Sequence, residues 1–297
     1  MPSSLLAQYY SPLRILTRFS PHSGMRFKNM TARKPNKVAH DSPSPITADE
    51  TINMFQQVFH SQPTTINGWD KCWQQGLTPW DLGCPAPVLV HLNNTGSLPK
   101  GRALVPGCGS GYDVVAIASA ERHVVGVDLS DNAIKRATEL SSRSPNAEHF
   151  TFLKTDFFTW CPTQLFDLIF DYTFFCAIEP GLRSQWARKI SDLLKPDGEL
   201  ITLMFPVDDH EGGPPYKVSV ADYEEVLHPL GLKATYIAEN ELAVAPRMWG
   251  FQKQKLNRIE VSQHKDIWFM VVIRLHISAN GREKLGRWRR SAVQAAL

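Results

Sequence analysis

The sequence predicts an α/β protein, a single domain with a mostly parallel, doubly wound sheet and helices on both of its faces. From residue 101 onwards, apolar β-rich runs alternate with amphipathic stretches. The first run leads directly into the glycine-rich loop 106–111, and the second run ends in Asp128. A chain of 297 residues is long enough for one large domain with extensions.

The alternation places each element of the sheet in order. Ser130 and Ser219 are predicted N-caps of two of the helices. A further helix over 184–194 is expected to end at the proline- and glycine-containing turn 195–198. Six strands are predicted, at 102–105, 123–128, 150–154, 166–171, 199–205 and 233–238.

The composition narrows the class of protein. The chain is 43% hydrophobic and 21% charged, which is ordinary for a globular protein, and its net charge of +3 is too small to indicate nucleic acid binding. No apolar run reaches membrane-spanning length. The five cysteines are scattered and contain no CxxC pair, so we expect no metal site, no disulfide framework and a reducing compartment. A monomer is expected.

The N-terminal segment 1–45 differs from the rest of the chain. It is basic and hydroxyl-rich, and no acidic residue precedes Asp41. This composition is typical of a chloroplast or mitochondrial transit peptide, although its prolines also suit a disordered tail of a cytoplasmic protein. The predicted domain covers 46–247 and starts with a capping box formed by Thr47 and Glu50.

The glycine-rich loop and Asp128 together predict a nucleoside site. Glycines let the backbone turn tightly and approach a ligand closely, as at Gly107. A carboxylate at the end of the second strand, Asp128, is placed to accept hydrogen bonds from both ribose hydroxyls. The spacing is GxGxG rather than the GxGxxG of dinucleotide enzymes, with Tyr112 where that pattern requires glycine. The sequence therefore favours S-adenosylmethionine over NAD.

Aromatic and acidic residues at other strand ends fit this ligand. Asp156, before Phe157, is placed to accept from an adenine amino group, although a helix N-cap beside a core phenylalanine is equally consistent. Trp69, Trp73 and Trp80 lie in a stretch interrupted by glycine and proline, which favours a loop or short helix. Their rings would attract a sulfonium cation, or would simply cap the core.

The run from Trp69 to Asp81, followed by LVPGCGSGYD and GVDLS, resembles the thiopurine S-methyltransferase family. Within it, the chain looks like the plant branch called "harmless to ozone layer", the halide and thiol methyltransferases. The resemblance covers about 55–247 and implies a Rossmann-like class I methyltransferase fold, with seven strands of which the last is antiparallel. It also implies that the cofactor-binding residues are Trp69, Trp73, Trp80, Gly107, Asp128, Asp156, Phe157 and Tyr172.

The resemblance implies methyl transfer to small soft nucleophiles: halide ions, bisulfide, thiocyanate and small thiols. Acceptors that are already anionic need collinear placement and desolvation rather than a general base. We expect Tyr172 and Tyr216 to contact the acceptor, with Tyr172 alternatively an ordinary surface tyrosine. The alternatives are an aromatic or heterocyclic thiol S-methyltransferase, or a protein that binds the cofactor without activity.

The C-terminal region departs from the family pattern. Residues 248–280 separate two pieces that the family joins directly, and we interpret them as an atypical insertion, from retained intron sequence or an incorrect gene model. Their apolar stretch 267–277 would alternatively supply a strand. Residues 281–297 are expected to be the basic C-terminal tail of the domain.

Overall fold

Seven strands form one sheet in the computed structural model, which describes residues 48–62, 64–244 and 282–291. They are β1 (Gly101–Pro106), β2 (Arg122–Asp128), β3 (Phe150–Lys154), β4 (Phe166–Tyr172), β5 (Leu194–Met204), β6 (Leu232–Glu239) and β7 (Lys284–Arg290). Their order in the sheet is β3-β2-β1-β4-β5-β7-β6.

Strands β1 to β5 are parallel to one another, whereas β7 is antiparallel to both β5 and β6. The strand order reverses between β1 and β4, so the carboxyl ends of these two strands flank a topological switch point. The predicted doubly wound sheet with an antiparallel last strand is confirmed.

Seven α-helices accompany these strands within the described ranges. They are α1 (Ala48–His60), α2 (Thr65–Gln75), α3 (Pro87–Asn94), α4 (Tyr112–Ile117), α5 (Asp131–Ser141), α6 (Arg183–Leu193) and α7 (Val220–Leu227). As predicted, Ser130 caps α5 and Ser219 caps α7. None of the described helices has both the length and the apolar character that crossing a membrane requires.

The core has two parts because neighbouring residues of a strand point to opposite faces of the sheet. Leu104 of β1 packs on one face with residues of α6 and α7, including Trp186 and Leu227. Val105 packs on the other face with residues of α3 and α4, including Leu89. Helices therefore cover both faces, as the sequence predicts.

An ion pair joins strand β7, which lies between β5 and β6, to β5. The guanidinium of Arg287 donates from Nε to Oε1 of Glu199 at 2.6 Å and from Nη2 to Oε2 at 2.7 Å. Glu199, on β5, is 1% exposed, so the fork shape of arginine satisfies a carboxylate that water does not reach. The basic C-terminal residues therefore form part of the sheet.

The expected turn at 195–198 is wrong, since these residues belong to β5. Phe166 of β4 pairs with Leu194, and Leu168 pairs with Glu199. Between these two pairs, the segment of β5 is therefore longer than the segment of β4 opposite it. The proline and glycine make an irregularity within the strand pairing, and the strand begins directly after α6. Thr47, the N-terminal segment 1–45 and the proposed insertion 248–280 lie outside the described residues.

Candidate functional site

A cavity of ≈ 360 Å³ opens at the carboxyl ends of β1, β2 and β4, beside the topological switch point. This is where open α/β sheets bind their ligands. Its wall contains all eight residues predicted to bind the cofactor: Trp69, Trp73, Trp80, Gly107, Asp128, Asp156, Phe157 and Tyr172. The structure thus brings together residues from distant parts of the sequence around one space.

The glycine loop forms the floor of the cavity beneath aromatic rings. Gly107 has a φ of +58°, and a Cβ built there would lie 2.6 Å from Cδ2 of Phe174. Gly109 has a φ of +51°, and a Cβ there would meet Cζ2 of Trp73 at 3.2 Å. Glycine is therefore required at Gly107 by both the backbone conformation and the close approach of a ring.

The carboxylate of Asp128 is held by the backbone on both sides. Gly109 N donates to Oδ2 at 3.0 Å, and Ser130 N donates to Oδ1 at 2.9 Å. Burial away from water raises the pKa of Asp128, and these two hydrogen bonds oppose that rise. Each oxygen keeps lone-pair capacity, so the group is oriented to accept from a diol placed in the cavity.

Asp156 stabilises a turn after β3 rather than an α-helix. Phe158 N donates to its Oδ1 at 2.9 Å, and the backbone N–H of Trp160 donates to its carbonyl at 2.9 Å. Phe157 is buried and packs edge-on against Phe174, with ring centroids 5.1 Å apart. Asp156 therefore caps a turn and also lines the cavity, and its contact with an adenine amino group stays a prediction.

The three tryptophans form one aromatic cluster at the cavity. Trp69 and Trp73 lie on α2, which ends at Gly76, and Trp80 lies in the loop beyond. The ring of Trp80 meets that of Trp69 at 5.1 Å and that of Trp73 at 5.9 Å, both edge to face. The tryptophans thus pack against each other as a core would, and they also face the cavity.

Tyr172 is the last residue of β4, and its ring lies on the cavity wall. Its hydroxyl points towards the segment that precedes β7. The hydroxyl donates to Oε2 of Glu283 at 2.9 Å, and Oε1 of Glu283 accepts from the side-chain amide of Asn240. Thr173 follows with a φ of +61°, an unusual value for a β-branched residue. Strain of this kind is often found where a binding site fixes the backbone.

Tyr216 occupies a different position from Tyr172. It is absent from the described cavity wall, which instead contains its neighbours Pro214 and Pro215. Its backbone N–H donates to the carbonyl of Cys176 at 2.7 Å, which ties the loop after β5 to the loop after β4. The loop after β5 therefore contacts the cavity through its prolines.

Two acids that the sequence did not single out also line the cavity. Oδ2 of Asp81 accepts from the hydroxyl of Ser110 at 2.5 Å. Oδ1 of Asp113 accepts from Ala86 N at 2.7 Å. Asp81 ends the tryptophan-containing motif, which is a signal that could have found it. Asp113 has no such signal, and only its position at the start of α4 shows that it lines the cavity.

The charge of the described wall is uniformly negative. It carries five carboxylates and, over the ranges the structure describes, neither lysine, arginine nor histidine. Burial and the neighbouring Asp128 raise the pKa of Cys108 well above its usual value, which keeps this thiol protonated and supports its packing role. The five acids are Asp81, Asp113, Asp128, Asp156 and Glu179.

This wall fits S-adenosylmethionine. The glycine loop leaves backbone exposed to the cavity, and Asp128 supplies the oriented acceptor that a ribose diol requires. Carboxylates and aromatic faces both favour a ligand that carries positive charge, as a sulfonium does. Over the described ranges the wall offers a pyrophosphate no lysine, arginine or histidine, the side chains that bind phosphates most strongly.

Comparison with known proteins agrees with this assignment. Residues 64–262 match the family described as "Thiopurine S-methyltransferase". The chain is 56% identical over 245 residues to "Probable thiol methyltransferase 2" of Arabidopsis thaliana, covering 82% of this chain and 94% of that protein. It is 53% identical to "Thiocyanate methyltransferase 1" of Brassica oleracea, covering 76% of this chain and 97% of that protein.

Solved structures show the same fold at lower sequence similarity. A structure described as "Conversion of a Disulfide Bond into a Thioacetal Group during Echinomycin Biosynthesis" aligns with a TM-score of 0.55 at 19% identity. The alignment covers 77% of this chain and 94% of that one. It supports the arrangement of strands and helices alone.

Proposed function

Because the chain belongs to the thiopurine S-methyltransferase family and its cofactor is S-adenosylmethionine, we propose that it methylates small soft nucleophiles. The acceptors are thiocyanate, bisulfide, small thiols and halide ions. The relatives named for thiol and thiocyanate methylation support the sulfur acceptors. Halide ions are included because they share the softness and negative charge of thiocyanate.

The observation that carries the proposal concerns the groups on the described cavity wall that could remove a proton. The wall holds neither histidine nor lysine, and four of its five carboxylates already accept hydrogen bonds from the protein. Acceptors that arrive as anions carry no proton to remove, so they need no general base from this wall. The four are Asp81 with Gly83 N, Asp113 with Ala86 N, Asp128 with Gly109 N, and Asp156 with Phe158 N.

The residues of the chain then have three tasks in the reaction. Asp128 and the glycine loop hold the nucleoside in one position. The tryptophans and Phe157 exclude water from the cavity, which removes the hydration that weakens a small anion as a nucleophile. When bound, the cofactor supplies an electrophilic methyl group, whose bond to sulfur breaks as the bond to the acceptor forms.

Placement accounts for the rate in such a reaction. Holding two reactants in line contributes up to about 7–11 kcal/mol to lowering a bimolecular barrier. Tyr172, at the end of β4, and Phe205 and Pro214, in the loop after β5, line one end of the cavity. We assign the acceptor to this end of the cavity.

A turnover panel tests the proposal. Purified protein is assayed with S-adenosylmethionine and, in turn, thiocyanate, bisulfide, iodide and an aryl thiol, with methylated products measured by gas chromatography. We expect turnover with the small anions. Cofactor binding without methylation of any of the four would contradict the proposal and favour a binding protein without activity.

A second candidate is methylation of an aromatic thiol. Ile66 and Leu182 lie on the cavity wall and are 47% and 38% exposed, so the mouth presents apolar surface to solvent. An aryl ring would bury that surface. A preference of about tenfold for the aryl thiol in the same panel, equal to about 1.4 kcal/mol in the transition state, would favour this candidate.

A further inference from the structure

Asp70 on α2 accepts a group of hydrogen bonds from the start of α5. The hydroxyl of Ser130 donates to its Oδ1 at 2.6 Å. The side-chain amide of Asn132 donates to Oδ1 and to Oδ2, both at 3.1 Å, and the backbone N–H of Asn132 donates to Oδ1 at 3.3 Å. A single carboxylate thus joins two helices that are 60 residues apart in sequence.

The charge of this carboxylate matches its position. Burial raises the pKa of Asp70, but the hydrogen bonds from Ser130 and Asn132 more than offset this and lower it below the usual 3.8. Asp70 is therefore ionised at neutral pH. It lies at the N-terminal end of α5, where unpaired backbone N–H groups and the helix dipole favour negative charge.

Asp70 has contacts with the cofactor site only through its neighbours. It is not part of the described cavity wall, although Trp69 and Trp73 on the same helix are. On the α5 side, Ser130 donates its hydroxyl to Asp70 and its backbone N–H to Oδ1 of Asp128 at 2.9 Å. The Asp70 carboxylate is thus one residue removed from both the aromatic wall and the ribose acceptor.

We propose that Asp70 is a positioning residue that docks α2 onto α5 and so aligns the tryptophan wall with Asp128. Without it, α2 keeps its apolar contacts with α1, including the packing of Trp69 on Phe59 at 4.9 Å. Helix α2 then loses the hydrogen bonds that set its position relative to α5. This inference rests on the cofactor site of the proposed function and is independent of which acceptor is methylated.

The test is the affinity for S-adenosylhomocysteine, measured by calorimetry with the full chain. We expect Asp70→Ala to raise Kd about tenfold or more, because the aromatic wall and the ribose acceptor are no longer held together. Asp131→Ala is the matched control. Asp131 is the next acid at the same helix end, but its carboxylate pairs with Lys135 at 2.6 Å and is exposed. Its Kd should stay within about twofold of the parent.

Two further variants separate positioning from general destabilisation. Asp70→Asn keeps an oxygen for the Ser130 hydroxyl and should recover most of the affinity lost in Asp70→Ala. Asn132→Ala removes two of the four bonds, those donated by the side-chain amide, while leaving α2 unchanged, and it should raise Kd several-fold. This variant also provides the test if Asp70→Ala does not fold.

Two results would overturn the inference. One is a parental Kd in Asp70→Ala or Asn132→Ala, with any loss confined to the melting temperature. The other is an equal loss of affinity in Asp131→Ala. Because S-adenosylhomocysteine binding requires no acceptor, failure of the acceptor assignment would appear in the turnover panel and leave these affinities unchanged.

Discussion

The hydroxyl of Tyr172 donates a hydrogen bond to Oε2 of Glu283, a residue 111 positions later in the chain. Tyr172 ends β4 on the cavity wall, and Glu283 immediately precedes β7. Glu283 is 5% exposed, so this bond joins the cavity to the last strand through a carboxylate that water hardly reaches. The bond explains how the basic C-terminal strand contributes to the site without lining it.

We expect Tyr172→Phe to lower the free energy of unfolding by about 1–3 kcal/mol, because a buried carboxylate oxygen loses its donor. The ring remains on the wall, so cofactor affinity should change by less than about twofold. Urea unfolding and calorimetry measure the two effects. Tyr216→Phe is the control, since Tyr216 lies off the described wall, and its stability should match the parent. Equal stability in the two variants would contradict this role of Tyr172.

Gly107→Ala should weaken cofactor binding more than about tenfold. The added Cβ would lie 2.6 Å from the ring of Phe174, a wall residue, and must displace it. The left-handed backbone adds about 1–2 kcal/mol of strain. Gly96→Ala is the matched control, because Gly96 has a φ of +67° and open space around its Cβ position. The control should lose stability alone, and an equal loss of affinity in both variants would count against the packing argument.

Asp128→Asn should raise Kd for S-adenosylmethionine by about tenfold or more, since hydrogen bonds to a charged group contribute about 1.5–3 kcal/mol each. Its amide also places a donor against one of the two backbone N–H groups that now donate to the carboxylate. Asp167→Asn should leave Kd within about twofold of the parent, because Asp167 pairs with Lys195 at the amino end of β4, away from the cavity. An unchanged Kd in folded Asp128→Asn would mean that the ribose lies elsewhere.

Asp171 should make stability fall as pH rises. Burial raises its pKa to about 6, against the hydrogen bonds from Phe175 N and the indole of Trp186. Because the folded state holds this proton more tightly than the unfolded chain, the carboxylate opposes folding above pH 6 by roughly 3 kcal/mol. The penalty fades as pH falls from about 6 towards the unfolded value of 3.8.

Chemical denaturation of Asp171→Asn and the parent from about pH 4 to about pH 7 measures this effect. The difference in unfolding free energy should shift in favour of the variant as pH rises. In a parallel series extended to about pH 2.5, Asp167→Asn should show the opposite trend, which is largely confined to pH below about 4. Burial raises the pKa of Asp167, but Lys195 and Arg102 N more than offset this and lower it, so its contribution to stability grows with pH. A pH-independent difference for Asp171→Asn would disprove the assignment.

Much of the sheet was predictable because each strand carries its own local signal. The apolar runs at 123–128 and 166–171 end within about two residues of β2 and β4, and Ser130 caps its helix as expected. The turn at 195–198 was wrong because proline and glycine signal a change of direction, which here is absorbed within strand pairing. Strand β7 has four basic residues among its seven and no apolar run, and a seventh strand was expected only from the family resemblance.

The predicted cofactor residues came from motifs, and the structure adds how they are held. The contacts of Asp70 with Ser130 and Asn132, and of Tyr172 with Glu283, join segments far apart in sequence. No local sequence pattern predicts these contacts, because the packing of α2 on α5 and the order of the strands bring the partners together. Thr173 likewise shows its left-handed backbone only in three dimensions.

The central claim is that this cavity methylates a small soft anion without a general base. The most direct test is kcat/KM for thiocyanate and for an aryl thiol, measured in competition in one mixture from about pH 6.5 to about pH 9. We predict that thiocyanate is preferred at least about tenfold and that its kcat/KM is flat across this range, since it stays anionic throughout. A tenfold preference for the aryl thiol, or a titration of the thiocyanate rate with a single ionisation, would contradict the claim.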